Sequence, residues 1–178
     1  VFQDRELAHE AGFEYEDWCT VESGEFEIYI KAAFAQAAFA VHESALRHIL
    51  RSLDPNAANS GAAAYESIYQ ALLKRVSLEP DTKELAMELF NIWRTIRNCI
   101  HNNFAYYHES KSEVDIAYRG KIYRFCNDRP VEFLTWKLFA LMVADLGTVL
   151  LSLVRSPEIG TLPSVYDPVN VRVLSRDA

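Results

Sequence analysis

Apolar residues return at three-, four- and five-residue intervals from Phe26 through Ile30, Phe34, Ala37, Val41, Leu46 and Ile49 to Leu53. A helix places such positions on one side of the chain, whereas a strand would need them at every second residue. The run predicts a long helix from Ser23 to about Leu53. Asp54-Pro55-Asn56 should end it, because proline cannot continue the hydrogen-bond ladder. Its middle, Lys31 to Ala40, holds six alanines and two phenylalanines. Alanine is the best helix former and lets a second helix come close. Upstream, residues 1–22 are acidic with scattered Phe2, Phe13, Tyr15 and Trp18, and Gly12 interrupts them. A short helix and an irregular lead-in are predicted there.

The same periodicity governs most of the chain beyond Asn56. Ser60 can cap a helix to about Ser77, with Tyr65, Ile68, Leu72, Leu73 and Val76 as its stripe. Pro80 and an Asp81-x-x-Glu84 capping box should start another, running through Leu85, Leu89, Ile92, Trp93, Ile96 and Ile100. Asn102 and Asn103, poor in a helix interior, should stop it just past His101. Then the period changes to two: Val114–Tyr118 and Lys121–Phe125 alternate about Arg119-Gly120, a hairpin signature. Asp128 and Pro130 are predicted to open a final long helix to about Val154. After Pro157 no period is visible. The fold class is therefore all-α: an up-and-down bundle of four to five helices with a small β-hairpin before the last long helix. One domain should span residues 1–178, with its core at about 23–155 and an irregular tail at 156–178.

With 178 residues, 50% hydrophobic and 24% charged, the chain is neither disordered nor too small for a core. Three cysteines, Cys19, Cys99 and Cys126, show no CxxC spacing. They point away from zinc and disulfides and toward a reducing, cytoplasmic setting. The chain opens on Val1, so its natural start is expected to lie upstream. Leu138–Val154 is the longest apolar run, broken by Asp145 and Gly147. A charge at its centre favours a buried helix over a membrane span.

Net charge is −7, yet it is unevenly spread. Residues 1–30 carry nine acids against Arg5 alone, whereas residues 91–129 carry seven Lys or Arg against four acids. The basic segment would suit an anionic ligand.

That segment contains Arg94-Thr95-Ile96-Arg97-Asn98-Cys99-Ile100-His101-Asn102-Asn103. In a helix Arg94 lies two turns before His101 and Arg97 one turn before it, so the three share a face. RNA cleaves when its 2′-hydroxyl attacks the neighbouring phosphorus, and no metal is needed. Histidine can move the protons near neutral pH. Arginine, always charged and forked, can meet two phosphate oxygens. A helix C-terminus favours imidazolium, which suits His101 to the acid role. Asn98, Asn102 and Asn103 are candidate RNA contacts. Each residue also has a structural reading: Arg94 and Arg97 as ion-pair partners of Glu88 or another acid, His101 as a cap, Asn98 as a helix-interior amide.

The string Ile96-Arg97-Asn98-Cys99-Ile100-His101-Asn102-Asn103, late in a long helix, resembles the HEPN superfamily. That family's hallmark is an Arg, often followed by Asn, Asp or His, with a His about four to six residues further on. Arg97-Asn98 matches the first part and His101 the second. Three residues separate Arg97 from His101, one fewer than usual; from Arg94 the gap is six, but Thr95 then replaces the polar companion. The likeness covers roughly residues 23–155 by architecture and eight residues by motif. It implies a metal-independent, cofactor-free endoribonuclease whose homodimer brings two motif helices together in a composite site. It also implies a toxin or defence role, with an antitoxin or another protein as partner. The alternative it carries is a non-catalytic module that binds a nucleotide, RNA or protein.

A third reading makes the motif incidental and the alanine-rich face of residues 31–40 a dock for a partner helix. Cys99 points about 160° from His101 and reads as core rather than nucleophile. Asp145 is expected to bond a neighbouring helix. His9, His42, His48 and His108 have no metal-ligand spacing, and adjacent His42 and Glu43 point apart. Tyr106, Tyr107, Tyr118 and Tyr123 could stack on RNA bases, but covering the edge of the core is the favoured role.

Overall fold

A computed structural model describes residues 9, 12, 15–56, 64–102, 104–110, 112–163 and 165, apart from the side chains of residues 15–22 and 25. The chain divides into two compact units, residues 1–37 and 38–178. The described elements are α1 (Tyr15–Leu53), α2 (Tyr65–Arg75), α3 (Pro80–Ile100), β1 (Ala105–Tyr106), β2 (Val114–Tyr118), β3 (Lys121–Phe125), β4 (Arg129–Pro130), α4 (Trp136–Arg155) and α5 (Pro157–Gly160). Helix dominates, as the periodicity predicts.

α1 begins at Tyr15 rather than Ser23. Gly12 has φ +78°, and between Tyr15 and Leu53 there is no proline to interrupt the ladder. Gly24 alone does not stop a helix. In the first unit Phe26, Ile28, Tyr29 and Ile30 are exposed. The predicted stripe is thus a buried face only in its later part, where Leu46 and Ile49 enter the core of the second unit. Val41 remains outside.

Within the second unit, α3 is the central helix. It packs against α2, α4, β1 and β2. Leu89, Phe90, Ile92 and Trp93 are buried on it, as are Ile68 and Leu72 on α2 and Phe139, Met142 and Val149 on α4. Each such side chain contributes about 1.5–3 kcal/mol through removal from water. The Trp93 and Phe139 rings meet edge to face, 6.3 Å apart.

Several helix starts differ from expectation. Ser60 lies outside the described residues, and α2 starts at Tyr65 after Ala64, without a side-chain cap. The Asp81–Glu84 capping box does not form: Glu79 is the cap position and Pro80 the first helical residue, so Asp81 is already inside the first turn. α4 begins at Trp136, where the Thr135 hydroxyl accepts from the Leu138 N–H at 3.2 Å. Asp128 and Pro130 instead serve a turn and a short β1–β4 ladder pairing Ala105 with Pro130. Only at Thr135 does a side chain arrive that can satisfy the helix's free N–H groups.

The hairpin forms as predicted, with Ile116 opposite Tyr123 and Tyr118 opposite Lys121. Arg119 (φ +51°) and Gly120 (φ +69°) both take left-handed backbone, a type I′ turn matched to strand twist. Asp145 is bonded to this hairpin, not to a neighbouring helix. It accepts from the Tyr118 hydroxyl at 2.5 Å and from Arg119 Nε and Nη2 at 2.6 and 2.5 Å.

α4 is long and apolar enough, by length and composition, to cross a membrane, with mean hydropathy 1.9 over its best window. One face is buried through Leu138, Phe139, Met142, Asp145, Leu146, Val149 and Leu153. The predicted irregular tail starts as the short helix α5, and most of it lies outside the described residues.

Candidate functional site

Three helices of the second unit enclose a cavity of about 420 Å³. α1 supplies Phe39, Glu43 and Arg47, spaced by four residues and so stacked on one face. α2 supplies Tyr65 and Glu66 at its start, and α3 supplies Arg94, Arg97 and Asn98. Three of the predicted site residues therefore meet in one concavity.

Two of its three guanidinium groups already hold carboxylates. Arg47 donates to Glu43 Oε1 from Nε at 3.0 Å and from Nη2 at 2.5 Å. Arg94 pairs with Glu66 and donates to Asn91 Oδ1 at 3.2 Å. Glu66 is thus the acid that Arg94 finds; Glu88 accepts the Arg119 backbone N–H at 2.9 Å instead.

Arg97 differs. Its guanidinium lies over the Phe39 ring, 5.3 Å from the centroid, and donates to Asn98 Oδ1 at 3.3 Å. Among the described residues, no carboxylate stands within ion-pair distance of it. With three cations and two acids the lining is net positive. An entering phosphate would meet Arg97 without displacing a carboxylate, then compete with Glu66 for Arg94. Phe39 fixes the guanidinium plane at low entropic cost.

His101 does not line the cavity. It is exposed at the α3 C-cap, one turn past Arg97. Asn102 is also exposed, and its amide donates to the Asn98 carbonyl at 3.3 Å, closing the helix end. Asn103 lies outside the described residues. Thr95 is buried and bonds back to the Asn91 carbonyl at 3.0 Å, so it cannot stand in for a polar companion to Arg94.

Sequence reasoning did not place His42, Tyr65, Glu43, Arg47 or Glu66 at the site. His42 is 1% exposed, and its Nε2 is 2.8 Å from the Tyr65 hydroxyl. Burial lowers its pKa to about 3, so the ring is neutral near pH 7. Desolvation, with Glu43 and Tyr69 nearby, holds the Tyr65 phenol protonated well above its ordinary value. The signal available in the sequence was weak: a histidine and a tyrosine 23 residues apart on different helices.

Cys99 is buried and its thiol is pushed up to about 12 by burial, consistent with a place in the core. Tyr106 and Tyr118 are buried, Tyr123 packs 5.1 Å from Phe133, and Tyr107 is exposed. Among the described residues, no three His, Cys, Asp or Glu side chains are arranged to hold a metal ion.

No protein-family model, curated protein or solved structure matches the chain. Geometry and charge at the cavity are therefore what point to a ligand.

Proposed function

We propose that the protein is a HEPN-like up-and-down helical bundle that binds RNA through a backbone phosphate held in this cavity. The observation that carries the reading is Arg97: a guanidinium with no carboxylate partner among the described residues, seated on an aromatic ring beside Arg94 and Asn98. Uncompensated charge at the edge of low-dielectric surroundings attracts an anion more strongly than the same charge in open solvent. On this reading the molecule acts as a homodimer, with an antitoxin or another protein as a further partner.

A short RNA oligonucleotide titrated against wild type and Arg97→Ala is the test. The variant should bind about tenfold more weakly, and its log K against log salt should be shallower by roughly one phosphate contact. Equal affinity and equal slope would remove the proposal.

The exposed His101 imidazole, one turn past Arg97, favours a second reading in which bound RNA is also cut. His101 would transfer the proton while Arg97 and Arg94 hold the phosphorane charge. Incubation in EDTA decides it. Cleavage by wild type and none by His101→Ala, with binding retained, is the expected pattern; no cleavage by wild type leaves binding alone.

A further inference from the structure

His42 and Tyr65 form a buried polar pair behind the cavity, and one atom of it is unsatisfied. His42 Nδ1 has no hydrogen-bond partner among the described residues, while Nε2 faces the Tyr65 hydroxyl at 2.8 Å. Around them stand Phe39, Tyr69 and Phe90, with ring centroids 4.8–5.5 Å apart in the Phe39–Tyr65, Tyr65–Tyr69, His42–Phe90 and Tyr69–Phe90 pairs.

A neutral imidazole carries one N–H, and its position decides what Tyr65 can do. If the proton sat on Nδ1, a buried donor would be orphaned and the Tyr65 hydrogen would be consumed by Nε2. If it sits on Nε2, the orphan is only an acceptor lone pair, the less costly defect in proteins. Nε2–H then donates to the Tyr65 oxygen, and the Tyr65 O–H is left to donate elsewhere. The charges of Glu43 and Arg94 act on the hydroxyl, and both residues line the cavity along with Tyr65 itself.

Resting on the phosphate-binding reading above, we propose that Tyr65 is a further ligand-binding residue of this cavity. Its hydroxyl donates to a phosphate oxygen of the RNA, and His42 is the positioning residue that fixes its direction. His42 Nε2–H occupies one side of the phenol oxygen, Arg94 offers no acceptor and Glu43 is engaged by Arg47, so an anion entering the cavity competes with Glu43 alone for that hydrogen. The ligand is then met by an aligned neutral donor as well as by the arginines, which favours a phosphate seated deep enough to reach α2.

The experiment uses the full chain and the same RNA oligonucleotide. Tyr65→Phe removes only the hydroxyl; its affinity should fall about tenfold while the salt slope stays at the wild-type value, because no charge is lost. His42→Gln, which can still offer an N–H to Tyr65, should bind better than His42→Met, which cannot. Long-range proton–nitrogen NMR of the free protein should find His42 protonated on Nε2. A Tyr65→Phe protein that is folded and binds like wild type overturns the proposal, and so does a His42 proton on Nδ1. If Arg97→Ala loses binding and Tyr65→Phe does not, the phosphate site stands and only the Tyr65 role falls. Absence of binding by wild type removes both.

Discussion

Asp145 sits nearly buried in the middle of an apolar helix and remains ionised, because Arg119 and Tyr118 donate three hydrogen bonds to it. The Arg119 bonds above all hold its carboxyl below the usual value, against the opposing effect of burial. Removing the cation should be costly. Arg119→Ala is expected to destabilise the fold by about 2–3 kcal/mol, measured by denaturant unfolding, since a buried charge loses its main partner. The same pair sets the sign of the pH effect. A carboxyl whose folded pKa is depressed stabilises fully above its unfolded value and loses that contribution as pH falls through the folded value. Wild type should therefore lose stability below about pH 4, and Arg119→Ala should lose less over the same range. An identical acid slope in both proteins would show that this pair is not the source.

At the scale of elements, the contacts that join them make the testable claims. Glu158 of α5 accepts the Ser77 backbone N–H at 3.0 Å and the Ser77 hydroxyl at 2.5 Å, tying α5 to the α2–α3 connection. These bonds lower its pKa from 4.5 to about 2. The tie should be intact above pH 4.5 and lost toward pH 2, and Glu158→Gln should be insensitive across that window in an NMR titration of the Ser77 amide. The hairpin offers a second test. Gly120→Ala at φ +69° should cost about 1 kcal/mol in unfolding free energy, because a Cβ is unfavourable in left-handed backbone.

The hairpin was legible because its signal is local: alternation, then two turn residues. So was the apolar stripe of α2, buried from Tyr65 to Val76. The start of α1 was not, because an acidic stretch with no apolar stripe has no period to detect. The start of α4 misled because Asp128-x-Pro130 resembles a helix opening and is used here in a turn. Of the site, Arg94, Arg97 and Asn98 were visible as neighbours on one helix. Glu66, Arg47 and Tyr65 were not, since no spacing rule links residues on three separate helices.

For the molecule as a whole, Cys99 reports on opening of the core. Its thiol, 1% exposed with a pKa of about 12, is protonated and shielded at neutral pH. Alkylation of the Cys99 peptide, followed by mass spectrometry, should be slow in buffer and should accelerate along the same denaturant curve that unfolds the protein. Rapid labelling of the native protein would mean that α3 separates from its neighbours far below the global transition. Such separation would also dismantle the cavity, because α3 carries Arg94, Arg97 and Asn98.

Arg119 is a rivet driven through three plates. Its backbone N–H reaches Glu88 on α3, its guanidinium reaches Asp145 on α4, and its own φ of +51° bends the hairpin. A designer who replaced this turn with a generic Asn-Gly would improve its local conformational preference, yet strand a carboxylate on α4. In this protein the tip of a two-stranded hairpin is not interchangeable trim.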